Sequence, residues 1–316
     1  MDREYETVRV DDRGEGLLLL TLNRPEVANA LNTQMGRDLL AFFEGINAAR
    51  GNQRCIVVTG AGERAFCAGG DLKERNGMTD EAWQDQHLLF ERMIGAFIGC
   101  PVPVIGAVNG AAYAGGCELA LCCDFIYAAE SARFALTEVT LGIMPGAGGT
   151  QSLPRAVGER RAKEIILTGD PFTAAEALEW GMVNRLCAPG RVLEEAIETG
   201  RRIADNAPIS VRQAKHAIHF GLQMDLASGM MLEIEVYNRM VPTDDRREGV
   251  LAFNEKTDEV TFWNPFGNRY TPKGPPGLKT GYVTERGQFT MPLTDAVMWF
   301  GSFSIETDEK STRFAE

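Results

Sequence analysis

The chain has 316 residues, of which 44% are apolar and 24% are charged, and its formal net charge is −12. These values are typical of a globular protein and exclude a collagen-like or wholly disordered chain. The length suits one large α/β domain or two domains, with a core that needs no disulfide or metal. Because the acidic chain has no basic stripe, we do not expect nucleic acid as a partner, although local amides and lysines could bind a small anion.

The cysteines and the apolar segments indicate where the protein resides. The seven cysteines are odd in number, form no C-x-x-C pair and lie mostly in apolar runs, which is typical of reduced thiols in the cytoplasm. The acidic N-terminal segment has the features of neither a secretory signal nor a transit peptide. The most apolar window, residues 102–123, contains Asn109 and Glu118, so no membrane span is expected.

Apolar periodicity predicts strands that alternate with helices. Residues 17–22 are predicted to form a strand, and apolar residues spaced three and four apart from Leu31 to Ile46 predict an amphipathic helix. Such alternation favours an α/β core with a largely parallel sheet, followed by a region that is nearly all helix. Further strands are predicted at 55–59, 102–108 and 125–128, and further helices at 80–98, 115–122, 160–167, 174–180, 193–204, 209–220, 224–240 and 246–253.

The sequence changes character after about residue 254. Residues 264–287 are rich in glycine and proline, which disfavours helix, yet the tail also contains many aromatic residues. We therefore divide the chain into a body, residues 1–254, and an extension of unknown role, residues 255–316. We expect the aromatic side chains of the extension to pack on the assembled body or to shape the entrance of its pocket.

Two glycine-containing loops follow buried strands and could bind an oxygen atom. Residues 64–74 read RAFCAGGDLKE, and residues 111–118 read AAYAGGCE at a predicted helix start. Small residues let a ligand approach the backbone, and free N–H groups at a helix start favour negative charge. One amide from each loop would form an oxyanion hole for a carbonyl. Taken alone, the first loop is equally consistent with a glycine turn that starts a helix.

Two glutamates could supply acid–base chemistry. Glu118 lies in the first turn of the predicted helix, where a carboxylate is often only a partner of the helix dipole. Glu138 lies in an otherwise apolar stretch, where it would either pair with a cation or have a raised pKa. Beside one activated carbonyl, one carboxylate could activate water while the other gives or takes a proton.

Other motifs indicate alternative sites less strongly. Residues 60–65 spell G-x-G-x-x-A, but the dinucleotide fingerprint requires a helix to start within the motif, and here loop sequence continues. Residues 146–149 lack the Lys-Ser/Thr of a phosphate loop. His216 and His219 are three apart on a helix without further ligands, so no metal site is predicted. His87 is isolated and is interpreted as a helix-surface residue.

Several ordered motifs resemble the crotonase superfamily of enoyl-CoA hydratases and isomerases. They lie at residues 66–74, 103–124 and 138–150, and residues 22–25, 29–32, 167–169 and 177–183 are similar too. The resemblance covers roughly residues 5–256. It implies a crotonase-like ββα spiral core at about 1–200 and a helical trimerisation region at 201–254.

The resemblance also implies roles for matched residues. The oxyanion-hole amides would be those of Gly70 and Gly115, and the catalytic pair would be Glu118 and Glu138. Thr137 replaces the proline that usually precedes the second glutamate, and Leu136 occupies a position that is often polar. Both changes would alter the pocket. Substrate or CoA binding would involve Ala28, Ala68, Asp71, Leu72, Lys73 and Gly146, with Arg24, Phe253 and Lys256 as further candidates.

The expected function is syn addition of water to a 2,3-enoyl-CoA thioester, with the acyl-CoA as the only partner besides other copies of the chain. No separate cofactor is expected, because coenzyme A is part of the substrate. The resemblance implies a homotrimer or a dimer of trimers. The alternatives are isomerisation or C–C cleavage through the same enolate and, in another class, a non-catalytic protein that binds CoA esters or serves assembly.

Overall fold

A twisted six-stranded sheet forms one layer of the protein. The computed structural model describes residues 4–48 and 52–255, together with four short strands beyond residue 261. The sheet has the order β1-β2-β3-β5-β7-β10; only the pairing of β1 with β2 is antiparallel, as expected for a largely parallel sheet. Its strands are β1 (Val8–Asp12), β2 (Leu17–Leu22), β3 (Cys55–Gly60), β5 (Val104–Val108), β7 (Phe125–Ala129) and β10 (Arg185–Cys187).

Four very short strands form a second, smaller sheet. It has the order β4-β6-β8-β9, with parallel pairing except between β8 and β9. Three successive turns, beginning with β3, β5 and β7, each add a strand to the large sheet, then one to the small sheet, then helical structure, which is the predicted ββα spiral. The sequence analysis predicted neither β1 and β10 of the large sheet nor the strands of the small sheet, which are β4 (Ala65–Cys67), β6 (Ala111–Tyr113), β8 (Arg133–Ala135) and β9 (Phe172–Thr173).

Helices cover the sheets and agree with the predicted segments to within about two residues in most cases. The predicted helices do not include Leu72–Arg75 or Gly149–Val157, and residues 102–103 precede the strand that we predicted to include them. The helices of the body are α1 (Thr33–Ala48), α2 (Leu72–Arg75), α3 (Asp80–Ile98), α4 (Gly115–Leu121), α5 (Gly149–Val157), α6 (Glu159–Thr168), α7 (Ala174–Glu179) and α8 (Val192–Ala204).

The core lies between the large sheet and the helices packed on it. All six residues of β2 and all six of β3 are buried, as expected for strands covered on both faces. Phe43 of α1 stacks on Phe97 of α3 with ring centroids 4.2 Å apart, which fixes α3 against the body. This contact matters for the site, because α3 also contributes side chains there.

The last three helices expose many apolar side chains. They are α9 (Pro208–Gly221), α10 (Leu226–Asn238) and α11 (Asp244–Glu255). Leu222, Leu226 and Met231 are 79%, 81% and 72% exposed. Among residues 4–48 and 52–255, no helix is both long and apolar enough to cross a membrane.

Two strand pairs are described beyond α11. Phe262–Trp263 pairs with Arg269–Tyr270, and Ser304–Asp308 pairs with Ser311–Ala315, both antiparallel. The expected packing of the aromatic side chains at 255–316 lies outside the described residues. The division at residue 254 stays a prediction.

Candidate active site

The first glycine loop presents a backbone amide without an acceptor. The loop pairs with the segment before α1: Leu31 N donates to Gly69 O at 2.8 Å, and Asp71 N donates to Leu31 O at 2.8 Å. These two bonds flank Gly70. Within the described residues, the N–H of Gly70 donates to no acceptor.

A second amide lies beside the first. A Cβ built on Gly115, the first residue of α4, would be 3.8 Å from Gly70 N, and within the described part of the chain the Gly115 N–H also lacks an acceptor. Gly69 has φ +90°, and a Cβ there would lie 2.8 Å from both Tyr113 O and Ala114 Cβ. Only glycine therefore allows the loops to approach so closely. The two N–H groups can bind an oxygen that gains negative charge.

Glu118 is buried and held by the backbone of the loop before α5. The residue is 3% exposed, and its Oε1 accepts hydrogen bonds of 2.8 Å from both Ala147 N and Gly149 N. Burial raises the pKa of Glu118, while these two N–H groups and the nearby His87 oppose the rise. The carboxylate is thus bound to another loop, which the helix-dipole interpretation does not predict.

Glu138 is buried without a hydrogen-bond partner. It begins the 3-10 turn Glu138–Leu141 after β8 and is 6% exposed. Among the described residues, neither of its carboxylate oxygens has a partner. Burial raises its pKa to about 7; its own backbone N–H opposes the rise and the charge of Glu118 adds to it. An unpaired carboxyl group that titrates near neutral pH is suited to proton transfer.

Asp71 joins the two loop segments. Its side chain caps α2 by accepting from Lys73 N and Glu74 N, and Arg24 Nη1 donates to it at 3.0 Å. Burial alone would raise the pKa of Asp71, but the hydrogen bonds from Arg24 and the α2 amides lower it overall. Arg24 Nη1 also donates to Ala30 O at 2.6 Å, so this guanidinium holds the loops together and is less available for a phosphate than expected.

The other residues matched to CoA binding lie along the same loops. Ala68 N donates to Ala28 O at 3.0 Å, and Ala28 adopts a left-handed conformation. Leu72 and Lys73 are exposed on α2. Phe253 is exposed on α11, far along the chain from these loops, and Lys256 lies outside the described residues.

Two residues that the sequence analysis did not assign lie at the site. His87 lies on the helix surface as interpreted, with its side chain 41% exposed, and a Cβ on Gly146 would be 2.7 Å from its Cε1, so one part of the ring lies against the loop that holds Glu118. The guanidinium of Arg75 lies against Gly70, with Nη1 2.9 Å from the corresponding Cβ position. Helical spacing on α3 places His87 beside Trp83, but only the fold shows which loop that face meets.

The structure accounts for the other motifs, residues 60–65 and the histidine pair, without a second binding site in the described residues. Residues 60–65 lead into β4 instead of a helix, so they lack the geometry of a dinucleotide fingerprint. His216 and His219 both pack against Phe220, with ring centroids 4.6 and 4.9 Å away. The part of the chain that the structure describes contains no cluster of three His, Cys, Asp or Glu side chains that could hold a metal ion.

Known proteins resemble this chain along most of its length. Residues 12–263 match the enoyl-CoA hydratase/isomerase family, and the chain belongs to that family. The Bacillus subtilis protein YngF is 47% identical over 248 residues, which are 78% of this chain and 95% of YngF. The mitochondrial enoyl-CoA hydratase of Pongo abelii is 40% identical, with 80% of this chain and 86% of that protein aligned. A crystal structure of an enoyl-CoA hydratase from Bacillus anthracis superposes with a TM-score of 0.78 at 45% identity, covering 80% of this chain and 97% of that one.

Proposed function

We propose that the protein adds water to the double bond of a 2-enoyl-CoA thioester. The observation that carries the proposal is the combination of two free amides, at Gly70 and Gly115, with two buried glutamates that differ in hydrogen bonding. The first pair can stabilise an enolate, and the second can supply a base and an acid. Relatives named enoyl-CoA hydratase that align along most of the chain support the same reaction.

The thioester oxygen occupies the oxyanion hole in this proposal. Hydrogen bonds from Gly70 N and Gly115 N draw electrons towards the carbonyl oxygen, which makes C3 of the enoyl group electrophilic. When water attacks C3, the electron pair of the double bond moves to form the enolate. The two N–H groups stabilise the enolate more than the substrate, which lowers the barrier.

The two glutamates divide the proton transfers. Glu118, as the carboxylate, takes a proton from the water whose oxygen bonds to C3; its Oε1 accepts from two N–H groups, so we assign the proton to Oε2. Glu138, in its protonated form, gives a proton to C2 and the thioester carbonyl re-forms. The product has gained one water molecule, and a proton that returns from Glu118 to Glu138 resets the pair. Delivery of both groups by neighbouring carboxylates gives syn addition.

Coenzyme A binds along the first loop and α2 in our proposal. Ala28 and Ala68 offer backbone groups, Asp71 fixes the loop, and exposed Leu72 and Lys73 meet the pantetheine and phosphates. Since the net charge is −12, a local cation such as Lys73 must bind the phosphates. Gly146 lines the acyl side near Glu118.

Loss of the conjugated thioester absorbance on addition of crotonyl-CoA tests the proposal. We expect that loss to accompany formation of 3-hydroxybutyryl-CoA, seen by mass spectrometry as a gain of one water. An isomerase or a lyase of the same family would instead move the double bond of a 3-enoyl-CoA or cleave a C–C bond, without net hydration. Calorimetric binding of CoA esters without any turnover would favour the non-catalytic alternative.

We further propose that the protein assembles as a homotrimer or a dimer of trimers. The large exposed apolar side chains of α9 and α10, including Leu226 at 81% and Met231 at 72%, are unfavourable in water and fit burial against other copies of the chain. The reducing cytoplasm is the location we propose, since all seven cysteines are free and six are buried.

Light scattering after size exclusion tests the assembly. We expect the mass of three or six chains for the wild type and a smaller species for Leu226→Glu or Met231→Glu. A monomeric wild type at micromolar concentration would contradict the proposal, and Leu167→Glu, an exposed leucine on α6, is the matched control.

A further inference from the structure

Arg75 presents a guanidinium group at the oxyanion hole. It is the last residue of α2, the short helix that begins two residues after Gly70. A Cβ on Gly70 would lie 2.9 Å from Arg75 Nη1 and 3.1 Å from Cζ, so the charged group is adjacent to the amide proposed to bind the thioester. Any acyl group bound there must pass close to this cation.

A network on α3 fixes the orientation of that guanidinium. Arg75 Nε donates to Gln86 Oε1 at 2.8 Å, and Cζ lies 4.4 Å from the ring centroid of Trp83. Gln86 is 4% exposed, and its amide donates at 2.8 Å to Thr33 Oγ1 and Glu74 Oε2. The ring stacked on one face of the guanidinium and the hydrogen bond from Nε fix the positions of the two outer nitrogens, Nη1 and Nη2.

The outer nitrogens of the fork have no partner in the protein. Within the described residues, Nη1 and Nη2 of Arg75 donate no hydrogen bond, and no carboxylate lies within ion-pair distance. The neighbouring Glu74 is engaged elsewhere: its Oε2 accepts from Thr33 N and from Gln86. Burial lowers the pKa of Arg75 and the charge of the nearby Glu74 opposes the fall, so water and Glu74 together solvate the guanidinium incompletely. A partly desolvated, unpaired cation is costly unless a ligand supplies the anion.

The position of the fork indicates which part of the ligand it meets. The side chain points from α2 to the α3 face formed by Trp83, Gln86 and Phe90. His87 on the next position of that face covers Gly146, in the loop that holds Glu118. Among the described residues, the exposed Lys73, which we assign to coenzyme A, makes no side-chain hydrogen bond or ion pair with this α3 face. Arg75 therefore belongs to the acyl side of the site.

We propose that Arg75 is a specificity-determining residue that pairs with a carboxylate on the acyl group, so that the preferred substrates are short 2-enoyl-CoA thioesters of dicarboxylic acids. The inference rests on the proposed hydratase function and specifies its substrate class. A planar guanidinium with two free nitrogens matches the two oxygens of a carboxylate. A purely apolar acyl tail would leave the cation unpaired and would remove more of its water.

Two substrates that differ by one carboxylate test the proposal. Glutaconyl-CoA is crotonyl-CoA with a carboxylate on its terminal carbon, and we expect the wild type to show the higher kcat/KM for glutaconyl-CoA. In Arg75→Gln the ratio of the two kcat/KM values should fall about 10- to 100-fold, the usual effect of a charged hydrogen-bonded pair. Arg75→Lys should recover part of the ratio. Arg92→Gln, an exposed arginine of α3, should leave it unchanged.

The ratio separates specificity from a structural role, because damage to the fold lowers both kcat/KM values alike. An unchanged ratio in Arg75→Gln, or a wild-type preference for crotonyl-CoA, would overturn the proposal while leaving the hydratase function intact. If neither substrate is hydrated, the proposed function fails instead. Calorimetry with glutaryl-CoA and butyryl-CoA then decides the carboxylate pairing: tighter binding of glutaryl-CoA that Arg75→Gln abolishes supports it, and equal affinities contradict it.

Discussion

The two carboxylates of the site are buried to a similar degree but are held differently. Glu118 is 3% exposed and receives two backbone N–H groups, whereas Glu138 is 6% exposed and has no hydrogen-bond partner among the described residues. Donated hydrogen bonds stabilise the anion, and burial without them stabilises the neutral acid. In the proposed reaction this difference lets one fold place a base and an acid side by side: the loop before α5 binds one glutamate and leaves the other unpaired.

Removing either carboxylate should have the largest effect. We expect Glu118→Gln and Glu138→Gln each to lower kcat/KM for an enoyl-CoA by about 10²- to 10⁴-fold, the usual contribution of a general acid or base. Because the two groups act on one water and one enolate, the double variant should be little worse than either single variant. Steady-state kinetics measure this, with Glu130→Gln in an exposed turn as control. Full activity in either single variant would rule out the two-carboxylate mechanism.

The pH dependence of kcat/KM should identify the proton that the pair carries. Burial raises the pKa of Glu138 to about 7, so the pair loses its last proton near neutral pH. We expect kcat/KM to fall about tenfold per pH unit well above pH 7. The kcat/KM values for hydration and for dehydration should fall in parallel above pH 7, since the equilibrium constant between substrate and product does not depend on pH. A rate that stays flat from pH 6 to 9 would show that Glu138 does not donate the proton.

Much of this site could be predicted from the sequence because its parts are local. A strand followed by small residues and a helix start indicates the two loops, within which the family resemblance selects Gly70 and Gly115, and a lone acid in apolar sequence indicates Glu138. The backbone partners of Glu118 could not be predicted, since Ala147 and Gly149 lie about thirty residues away and contribute only N–H groups. Their approach depends on how the loop before α5 packs on α4.

Arg75 illustrates the same limit for side chains. Its sequence context, a short charged segment after a glycine loop, is equally typical of a solvated helix end. Gln86 and Trp83 can hold the guanidinium because α3 packs on the body through contacts such as that of Phe43 with Phe97. That packing cannot be read from the local sequence. The strands of the small sheet were missed for a related reason: two or three residues carry too little periodicity to be recognised.

Replacement of a glutamate should change the stability of the fold less than it changes activity, and by different amounts at the two positions. The pKa of Glu138 is raised from 4.5 to about 7, so the native state binds the proton more tightly than the unfolded state, and this contribution to stability is lost as pH rises through 7. Glu138→Gln removes the buried charge, and we expect it to gain about 2 kcal/mol over the wild type at pH 8 and little at pH 4. Calorimetric melting at fixed protein concentration measures this. Glu118→Gln should gain less, because two N–H groups already stabilise that carboxylate.

The smallest effect concerns the backbone that places Glu118 and the Gly115 amide. Ala114, just before α4, has φ 48° and ψ −125°, a conformation that glycine adopts far more readily than alanine. Such strain costs about 1–3 kcal/mol, whereas the extra conformational freedom that glycine gives the unfolded chain lowers the stability of the fold by about 0.4–1 kcal/mol. Ala114→Gly should therefore stabilise the fold by about 1 kcal/mol, which calorimetry would detect as a melting temperature higher by about 2–4 °C. Ala214→Gly, within helix α9, should destabilise instead, because its backbone is helical. If both variants lost stability, the turn that aims the Gly115 amide would not be strained.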